Sequence, residues 1–215
     1  MTNSTRTRCT RLSMWLFAAS VMAVVSGCQL ITAGMYVFAP NDIPAEFPGL
    51  EGQRVVVICN EVGVLGYQDA AVRTDLARVV SNRLQKNVKK IDVVSQDEIN
   101  DWVDTNDVRY AELGKAMDAD SVVSIELEHF NLYKGPSLYQ GQAEMSLVVY
   151  DVETEETHDL KPMESLYPPH SGIPLDESEG HFRRRFVNVL GTQIARKFHP
   201  HESIEASKDR LYPSE

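Results

Sequence analysis

The chain contains three cysteines, and their neighbours predict different chemistry for each. Cys28 follows two small residues, which leave the backbone uncrowded and the thiol open to a modifying enzyme. Cys59 ends the apolar run 55–58, where a buried and unreactive thiol is expected. Cys9 lies within the first 27 residues, so a chain that has lost them and is modified at Cys28 keeps one free thiol and forms no intramolecular disulfide.

The first 27 residues have the composition of a secretory signal peptide. Arg6, Arg8 and Arg11 give a positively charged start, and residues 12–25 form an apolar run of about 14 residues. A helix that spans a membrane needs about 20 apolar residues, so a permanent transmembrane anchor is the weaker alternative. We therefore predict that residues 1–27 are a signal peptide.

The segment Val25-Ser26-Gly27-Cys28 resembles the lipobox of bacterial lipoproteins, in which an aliphatic residue and two small residues precede a cysteine. The resemblance implies that a peptidase cleaves before Cys28, that its sulfur carries diacylglycerol, and that its new amino group is acylated, as with palmitate. Two or more acyl chains make a stable membrane anchor. The alternative is a conventional cleavage site beside an incidental cysteine. Gln29 replaces the aspartate that favours inner-membrane retention, which favours the outer membrane.

No linear signature of a familiar catalytic or nucleotide-binding site occurs in the sequence, including Gly-x-Ser-x-Gly, His-Glu-x-x-His, Cys-x-x-Cys and the phosphate-loop motif. Residues 60–66 join a predicted strand to a predicted helix, but they lack the phosphate-loop lysine, and a plain turn is expected. His199, His201 and Glu202 have metal-ligand chemistry, yet Pro200 prevents the imidazoles from sharing a helical face. We expect no catalytic residue, no cofactor and no metal.

An envelope hydrolase with a non-standard site is the enzymatic alternative, and it would act through histidines. The remaining histidines show no metal-ligand spacing. Such a site would need a cleft that gathers His129, His158 or His181 with acidic side chains at hydrogen-bonding distance.

Two groups of side chains suit contact with a protein partner. Tyr133 and Tyr139 flank the turn at Gly135-Pro136, where exposed aromatic rings can anchor a partner, although packing over a sheet is equally compatible with the pattern. Arg183 and Arg184 belong to a run of three arginines, which either recognises an acidic partner or is a solvated helix face.

The composition bounds the class of partner. The 215 residues are 43% hydrophobic and 24% charged, as in a globular protein with one core. The formal net charge is −10, and loss of the three signal-peptide arginines makes it −13. A surface this acidic repels phosphate backbones and anionic lipids, so nucleic acid is excluded as a partner and membrane attachment must be hydrophobic or covalent.

Hydrophobic periodicity predicts the order strand, helix, strand, two short helices, two or three antiparallel strands, helix. The result is a single layered α/β (α+β) domain with a mixed sheet of about 4–5 strands, packed by an N-side and a C-terminal amphipathic helix. The supporting features are the buried strand 55–59, the helix 72–88, a capping box at Ser95, alternating strands at 123–127 and 143–149, a proline-rich loop at 164–177, and a helix from Ser178 to Phe198.

The predicted organisation is a signal peptide at 1–27, a lipidated and proline-rich tether at 28–53, the α/β domain at 54–198 and a polar tail at 199–215.

Part of the domain resembles the small α/β domain shared by the curli secretion lipoprotein, the penicillin-binding-protein activator lipoproteins and the amino-terminal domain of the Tol-Pal translocation protein. The resemblance covers roughly residues 54–150 and lies in the segments 54–58, 91–95 and 111–123, together with the helix through Leu84. It implies a scaffold or binding module. We expect a non-enzymatic, lipid-anchored module on the periplasmic face of the envelope, which binds a protein partner. The sequence predicts no particular oligomeric state.

Overall fold

The computed structural model describes residues 42–61, 70–176 and 178–202. Cys28, the lipobox-like segment and the predicted signal peptide lie outside the described residues, as do most of the loop 60–66 and the tail beyond Glu202. Among the helices that the structure does describe, none is both long enough and apolar enough to cross a membrane.

The described ranges contain four helices and nine strands. The helices are α1 (Ala70–Asn87), α2 (Gln96–Val103), α3 (Tyr110–Ala116) and α4 (Glu179–Ala195). The strands are β1 (Asp42–Ile43), β2 (Arg54–Glu61), β3 (Asp92–Val93), β4 (Ser121–Lys134), β5 (Leu138–Asp151), β6 (Thr157–Asp159), β7 (Met163–Tyr167), β8 (Ile173–Pro174) and β9 (His201–Glu202).

Seven strands form one mixed sheet in the order β3-β2-β4-β5-β6, and β7 and β8 also pair with β5. Strand β2 is parallel to both neighbours, whereas β4 and β5 form a long antiparallel hairpin. The outer edge of β5 is shared by three short strands, β8, β7 and β6, in that order along its length. Strands β1 and β9 form a separate two-stranded sheet. The predicted layered α+β architecture is confirmed.

Strand β2 is the centre of the core because both of its faces are covered. Val55 and Val57 point to the face packed by α1 and α4, while Val56 and Ile58 point to a second cluster formed with α2 and α3. All four are at most 5% exposed. A continuous apolar run is what a strand covered on both faces requires, as the sequence predicted.

Helices α1 and α4 pack closely through Gly191. A Cβ atom added at Gly191 would lie 2.4 Å from a methyl carbon of Val79. Because no larger residue fits without movement of the neighbouring helix, the missing side chain sets how near the two helices approach. The side chains of Leu76, Leu84, Leu190 and Ile194, all fully buried, fill the layer between these helices and the sheet.

Both Ser95 and Ser178 cap their helices as predicted, although the bond to Ser95 comes from the Asp97 amide and not from the Glu98 amide that a capping box uses. The Ser95 hydroxyl accepts a hydrogen bond from the Asp97 amide at 3.3 Å, and the Ser178 hydroxyl accepts one from the His181 amide at 3.3 Å. These bonds satisfy amides that have no partner within their helices.

The proline-rich segment expected to be a loop contains two strands. Met163, Ser165 and Tyr167 alternate inward along β7, which pairs with residues 141–145 of β5, and β8 follows. The prolines fall at the ends of these strands or at the sheet edge, where no amide is needed for the ladder. The expectation of an unstructured loop at 164–177 was therefore wrong for these two stretches.

The end of the segment expected to be a tether packs on the domain. The Glu46 carboxylate accepts hydrogen bonds from the Lys197 ammonium at 2.6 Å and from the Lys161 amide at 3.0 Å. The Phe47 ring lies 5.5 Å from the His158 ring, centroid to centroid. Leu50 is fully buried. We call the contacts of Glu46, Phe47 and Leu50 the N-terminal clamp.

Candidate functional site

The two groups of side chains predicted to meet a partner, the hairpin tyrosines and the arginines near the start of α4, lie at the same end of the sheet as β8. Strand β8 pairs with the first residues of β5, so that Ile173 lies opposite Tyr139. At the end of β4, the Tyr133 hydroxyl donates a hydrogen bond to the carboxylate of Glu179 in the first turn of α4. We call this region the hairpin end; it comprises residues 131–141, 173–176 and 178–184.

Tyr139 belongs to the core rather than to the exposed surface of the hairpin end. It is 5% exposed, and its ring stacks on Phe182 with centroids 4.8 Å apart and planes 12° apart. Of the two alternatives that the sequence left open for Tyr139, packing over the sheet is the one observed. The burial of Tyr139 could have been predicted from the sequence, because Tyr139 continues the inward alternation of Ala143 and Met145 along the strand.

Tyr133 is 41% exposed and is held in place from two sides. Its ring centroid lies 5.5 Å from that of Tyr139, and its hydroxyl is bonded to Glu179. The hydrogen bond to this carboxylate is the main reason that the pKa of the Tyr133 phenol is raised to about 12. The phenol is therefore neutral, and the ring presents one exposed apolar face. Leu175, also 41% exposed, adds a second apolar side chain to the hairpin end.

The three consecutive arginines of α4 have different environments. Arg184 is exposed, and Arg183 is half-buried with a buried Nε atom that has no hydrogen-bond partner. The guanidinium of Arg185 lies 5.7 Å from the Phe182 ring centroid and 6.0 Å from that of Tyr167, so it packs on the aromatic cluster. Arg184 is thus the arginine most open to a partner at the hairpin end.

The structure does not gather the three histidines that a hydrolase would need. His129 lies opposite Glu144 in the β4–β5 ladder, whereas His158 lies opposite Val149, whose side chain points to the other face of the sheet. His181 is exposed in the first turn of α4. The acidic neighbour of His129 is therefore separated from His158 by the sheet itself.

The histidines at the end of the domain do not converge on a common point. The rings of His199 and His201 are 6.1 Å apart, centroid to centroid. The Nδ1 atom of His199 is hydrogen-bonded to the Pro200 carbonyl at 2.8 Å, and the Nδ1 atom of His201 is hydrogen-bonded to the His199 carbonyl at 3.2 Å. This geometry leaves no Nδ1 atom of the pair for a shared ligand.

Four carboxylates lie on the sheet face opposite α1 and α4, the face that α2 and α3 cover beside β2; one of them, Glu126, accepts a hydrogen bond from the Tyr110 hydroxyl of α3 at 3.2 Å. Glu126 and Glu128 are on β4, and Glu144 on β5 lies directly opposite Glu164 on β7, with His129 beside them. Like charges at opposed positions destabilise a sheet by fractions of a kcal/mol. Within the described ranges, no group of three or more His, Cys, Asp or Glu side chains is arranged to hold a metal ion.

A cleft of about 460 Å³ lies at the carboxyl end of β2. Polar atoms of Asn60, Asn100 and Asp104 line it together with the apolar side chains of Ile99 and Val103. A crevice at the carboxyl end of a parallel strand is a common ligand position in α/β sheets. One polar residue of the lining, Gln96, uses its side-chain amide within the protein: the amide donates hydrogen bonds to the Val57 carbonyl at 2.8 Å and to Ser81 Oγ at 3.1 Å.

Cys59 borders this cleft with a protonated thiol. Burial raises the pKa of Cys59 to about 12, and the nearby Arg73 opposes that shift only in part. Because the thiolate is the nucleophilic form, the side chain is unsuited to nucleophilic chemistry at neutral pH. The predicted unreactive thiol is in agreement with this environment, although the side chain is not fully enclosed.

Comparisons with known proteins give likeness at the level of the fold. The sequence matches no protein-family model and no curated protein sequence. Similar solved structures include the PelC dodecamer from Paraburkholderia phytofirmans, with 9% identity, a TM-score of 0.45, and coverage of 74% of this chain and 95% of that chain.

Two further structures are similar in the same sense. Lipoprotein GNA1162 from Neisseria meningitidis has 12% identity and a TM-score of 0.36, covering 66% of this chain and 97% of that chain. The LpoB C-terminal domain from Salmonella enterica has 13% identity and a TM-score of 0.35, covering 56% of this chain and 87% of that chain. All three likenesses are distant, and we transfer no family, residue role or partner from these proteins to this chain.

Proposed function

We propose that this chain is a non-enzymatic, lipid-anchored protein of the bacterial cell envelope, which binds another envelope component at the hairpin end. The single observation that carries the proposal is the lipobox-like segment Val25–Cys28 at the end of an arginine-led apolar run. Acylation at Cys28 would hold an acidic domain, which anionic lipids repel, beside a membrane. Gln29 favours the outer membrane.

The hairpin end supports the binding part of the proposal. It joins an exposed aromatic ring, Tyr133, to an exposed apolar side chain, Leu175, and an exposed cation, Arg184. Aromatic and arginine side chains dominate the binding energy of protein interfaces. Because the hydrogen bond to Glu179 fixes Tyr133 before binding, little side-chain entropy is lost when a partner covers it. The chemistry favours a protein segment with apolar and acidic side chains.

Site-specific photo-crosslinking in cells tests the binding surface. A photoreactive phenylalanine analogue replaces Tyr133 in the full chain, and a matched variant carries it at Asp159, an exposed residue paired with the far end of β5. We expect the same crosslinked partner in repeated experiments from position 133, and none from position 159. The variant Arg184→Glu, combined with the probe at 133, should reduce its yield.

Two outcomes would contradict the proposal. One is the absence of any repeatable crosslink from position 133 in protein shown to be at the membrane. The other is an equal crosslinking yield from both probe positions, which would indicate random collision. Loss of the crosslink in Arg184→Glu is informative only if that variant unfolds at the same urea concentration as the parent, since the substitution lies at the helix surface.

A further inference from the structure

The N-terminal clamp lies at one end of β5. The Phe47 ring contacts His158 in β6, and β6 pairs with residues 148–150, the last part of β5. The Phe47 amide donates a hydrogen bond to the Lys197 carbonyl at 2.9 Å, just beyond the carboxyl end of α4. The chain therefore enters the domain where β5 and α4 both end.

The hairpin end lies at the other end of the same two elements. Strand β5 begins at Leu138, and α4 begins at Glu179, which bonds to Tyr133. The 14 residues of β5 span roughly 45 Å at a strand's rise per residue. The clamp and the hairpin end are thus separated by about the length of one long strand.

The covalent distance between the predicted anchor and the first fixed residue of the domain limits how the domain can be oriented. Cys28 and Ile43, which lies in β1 and pairs with β9, are 15 positions apart, which corresponds to a maximum span of about 50 Å. If the hairpin end faced the lipid, the connecting chain would have to run back along β5 from the level of Val149, opposite His158, to Leu138, a distance of roughly 36 Å. That path uses about three quarters of the maximum span and leaves the chain few conformations.

We propose that the hairpin end faces away from the bilayer that holds Cys28, so that it binds a partner in the periplasmic space rather than within the same bilayer. This orientation rests on the lipid anchor of the proposed function. The clamp creates it by shortening the connecting chain, because Glu46, Phe47 and Leu50 are fixed to the domain. Strand β1, which pairs with β9, fixes the chain just before the clamp, at Asp42–Ile43.

Energy transfer from the protein to a labelled bilayer tests the orientation. The full lipidated chain is placed in vesicles of zwitterionic lipid that contain an acceptor-labelled lipid. A donor is attached at Ser137→Cys in the hairpin turn or at Asp159→Cys on β6, both exposed positions. Cys59 does not compete for the maleimide donor, because burial raises its pKa to about 12.

We expect transfer from position 137 to be at least about twofold less efficient than from position 159, given the roughly 36 Å of strand between position 137 and Val148, which lies opposite Asp159. The double variant Glu46→Gln, Phe47→Ala opens the clamp and leaves the connecting chain held only by the two-residue pairing of β1 with β9, which is too short to be stable alone, so it should reduce this difference. A control substitution at the exposed Glu153, Glu153→Gln, should leave it unchanged.

Equal transfer from both positions, or stronger transfer from 137, would overturn the proposed orientation. No transfer from either position would contradict the lipid anchor and overturn the orientation with it. Unequal transfer in the expected direction, combined with no crosslinked partner from Tyr133, would reject binding at the hairpin end and leave the orientation standing.

Discussion

Tyr139 of β5 and Phe182 of α4 stack nearly parallel, with ring centroids 4.8 Å apart. This contact fastens the amino-terminal part of α4 to the sheet at the hairpin end. Tyr133, six residues before Tyr139, is on the same end but exposed. The two tyrosines therefore have separate roles, one in stability and one at the surface.

Substitution of these two tyrosines should separate stability from surface contact. Tyr139→Ala removes a ring that is 95% buried and should lower the free energy of unfolding by about 3 to 5 kcal/mol. Tyr133→Ala loses one hydrogen bond and exposed ring area, and should cost about 1 kcal/mol. Urea unfolding followed by circular dichroism measures both. Equal costs would contradict the assignment of Tyr139 to the core.

Replacement of Cys28 should abolish processing. The variant Cys28→Ser lacks the sulfur that would take up diacylglycerol, so we expect it to keep residues 1–27 and to carry no acyl chain. Intact-mass spectrometry of the variant and of the parent protein, both purified from membranes, shows where each chain begins and whether it carries acyl chains. A variant that is cleaved at the same bond as the parent would show that residues 25–28 are a conventional cleavage site.

The close approach of α1 and α4 predicts that Gly191→Ala is destabilising. The added methyl group would meet Val79 at 2.4 Å, and overpacking of this kind costs about 1 to 3 kcal/mol, more than the roughly 1 kcal/mol that alanine gains in helix propensity. Gly180→Ala in the first turn of the same helix is the matched control, because its nearest neighbour, the Arg184 guanidinium, is 3.7 Å away. If both substitutions stabilise the protein, the two helices are less tightly packed than described.

The clamp should give a pH-dependent contribution to stability through Glu46. The hydrogen bond from Lys197, followed by that from the Lys161 amide, lowers the pKa of Glu46 below the ordinary value of 4.5 for a glutamate side chain. The folded state therefore holds the charged form more strongly, and this stabilisation is present above pH 4.5 and is lost as the pH falls through the folded-state pKa.

The variant Glu46→Gln tests that contribution. At neutral pH it should lower the free energy of unfolding by about 0.5 to 1 kcal/mol, as for a partly exposed ion pair, and the difference from the parent should vanish in acid. Urea titrations at several pH values measure it, with Glu153→Gln as a control at an exposed carboxylate. A difference that grows as the pH falls would have the wrong sign for a depressed pKa.

Cys59 should resist alkylation in the folded protein. With a pKa raised to about 12 by burial, only about one thiol in ten thousand is ionised at pH 8. Iodoacetamide should therefore modify the native mature chain slowly and the urea-unfolded chain rapidly, as measured by mass spectrometry. Fast modification of the native chain would indicate that the cleft at the end of β2 activates the thiol.

The sequence predicted those parts of the fold in which local pattern and burial agree. Each of these parts combines a hydrophobic periodicity with a boundary signal. All are present in the structure: the apolar run at 55–59, the helix beginning near Val72, and the caps at Ser95 and Ser178. The hairpin strands are longer than the alternating cores that identified them, because Tyr139 continues the inward set past Gly141, where no side chain marks the period.

The remaining features depend on pairing between distant residues. Strand β7 is short and follows Pro162, and it is recognised only through its partner β5. The clamp forms because Glu46 meets Lys197, a residue 151 positions away, and no local pattern reports such a contact. The hairpin end combines two groups that were predicted separately, the hairpin tyrosines and the arginines of α4, because only the contacts of Tyr133 with Glu179 and of Tyr139 with Phe182 bring them together.

The outer edge of β5 has a consequence for self-association. Three short strands of two to five residues divide that edge between them, and β3 at the opposite side of the sheet has two residues. Along β5, none of these short strands offers a long row of unpaired amides and carbonyls on which another molecule could add a strand. The folded domain is thereby protected from self-association along this edge of its sheet.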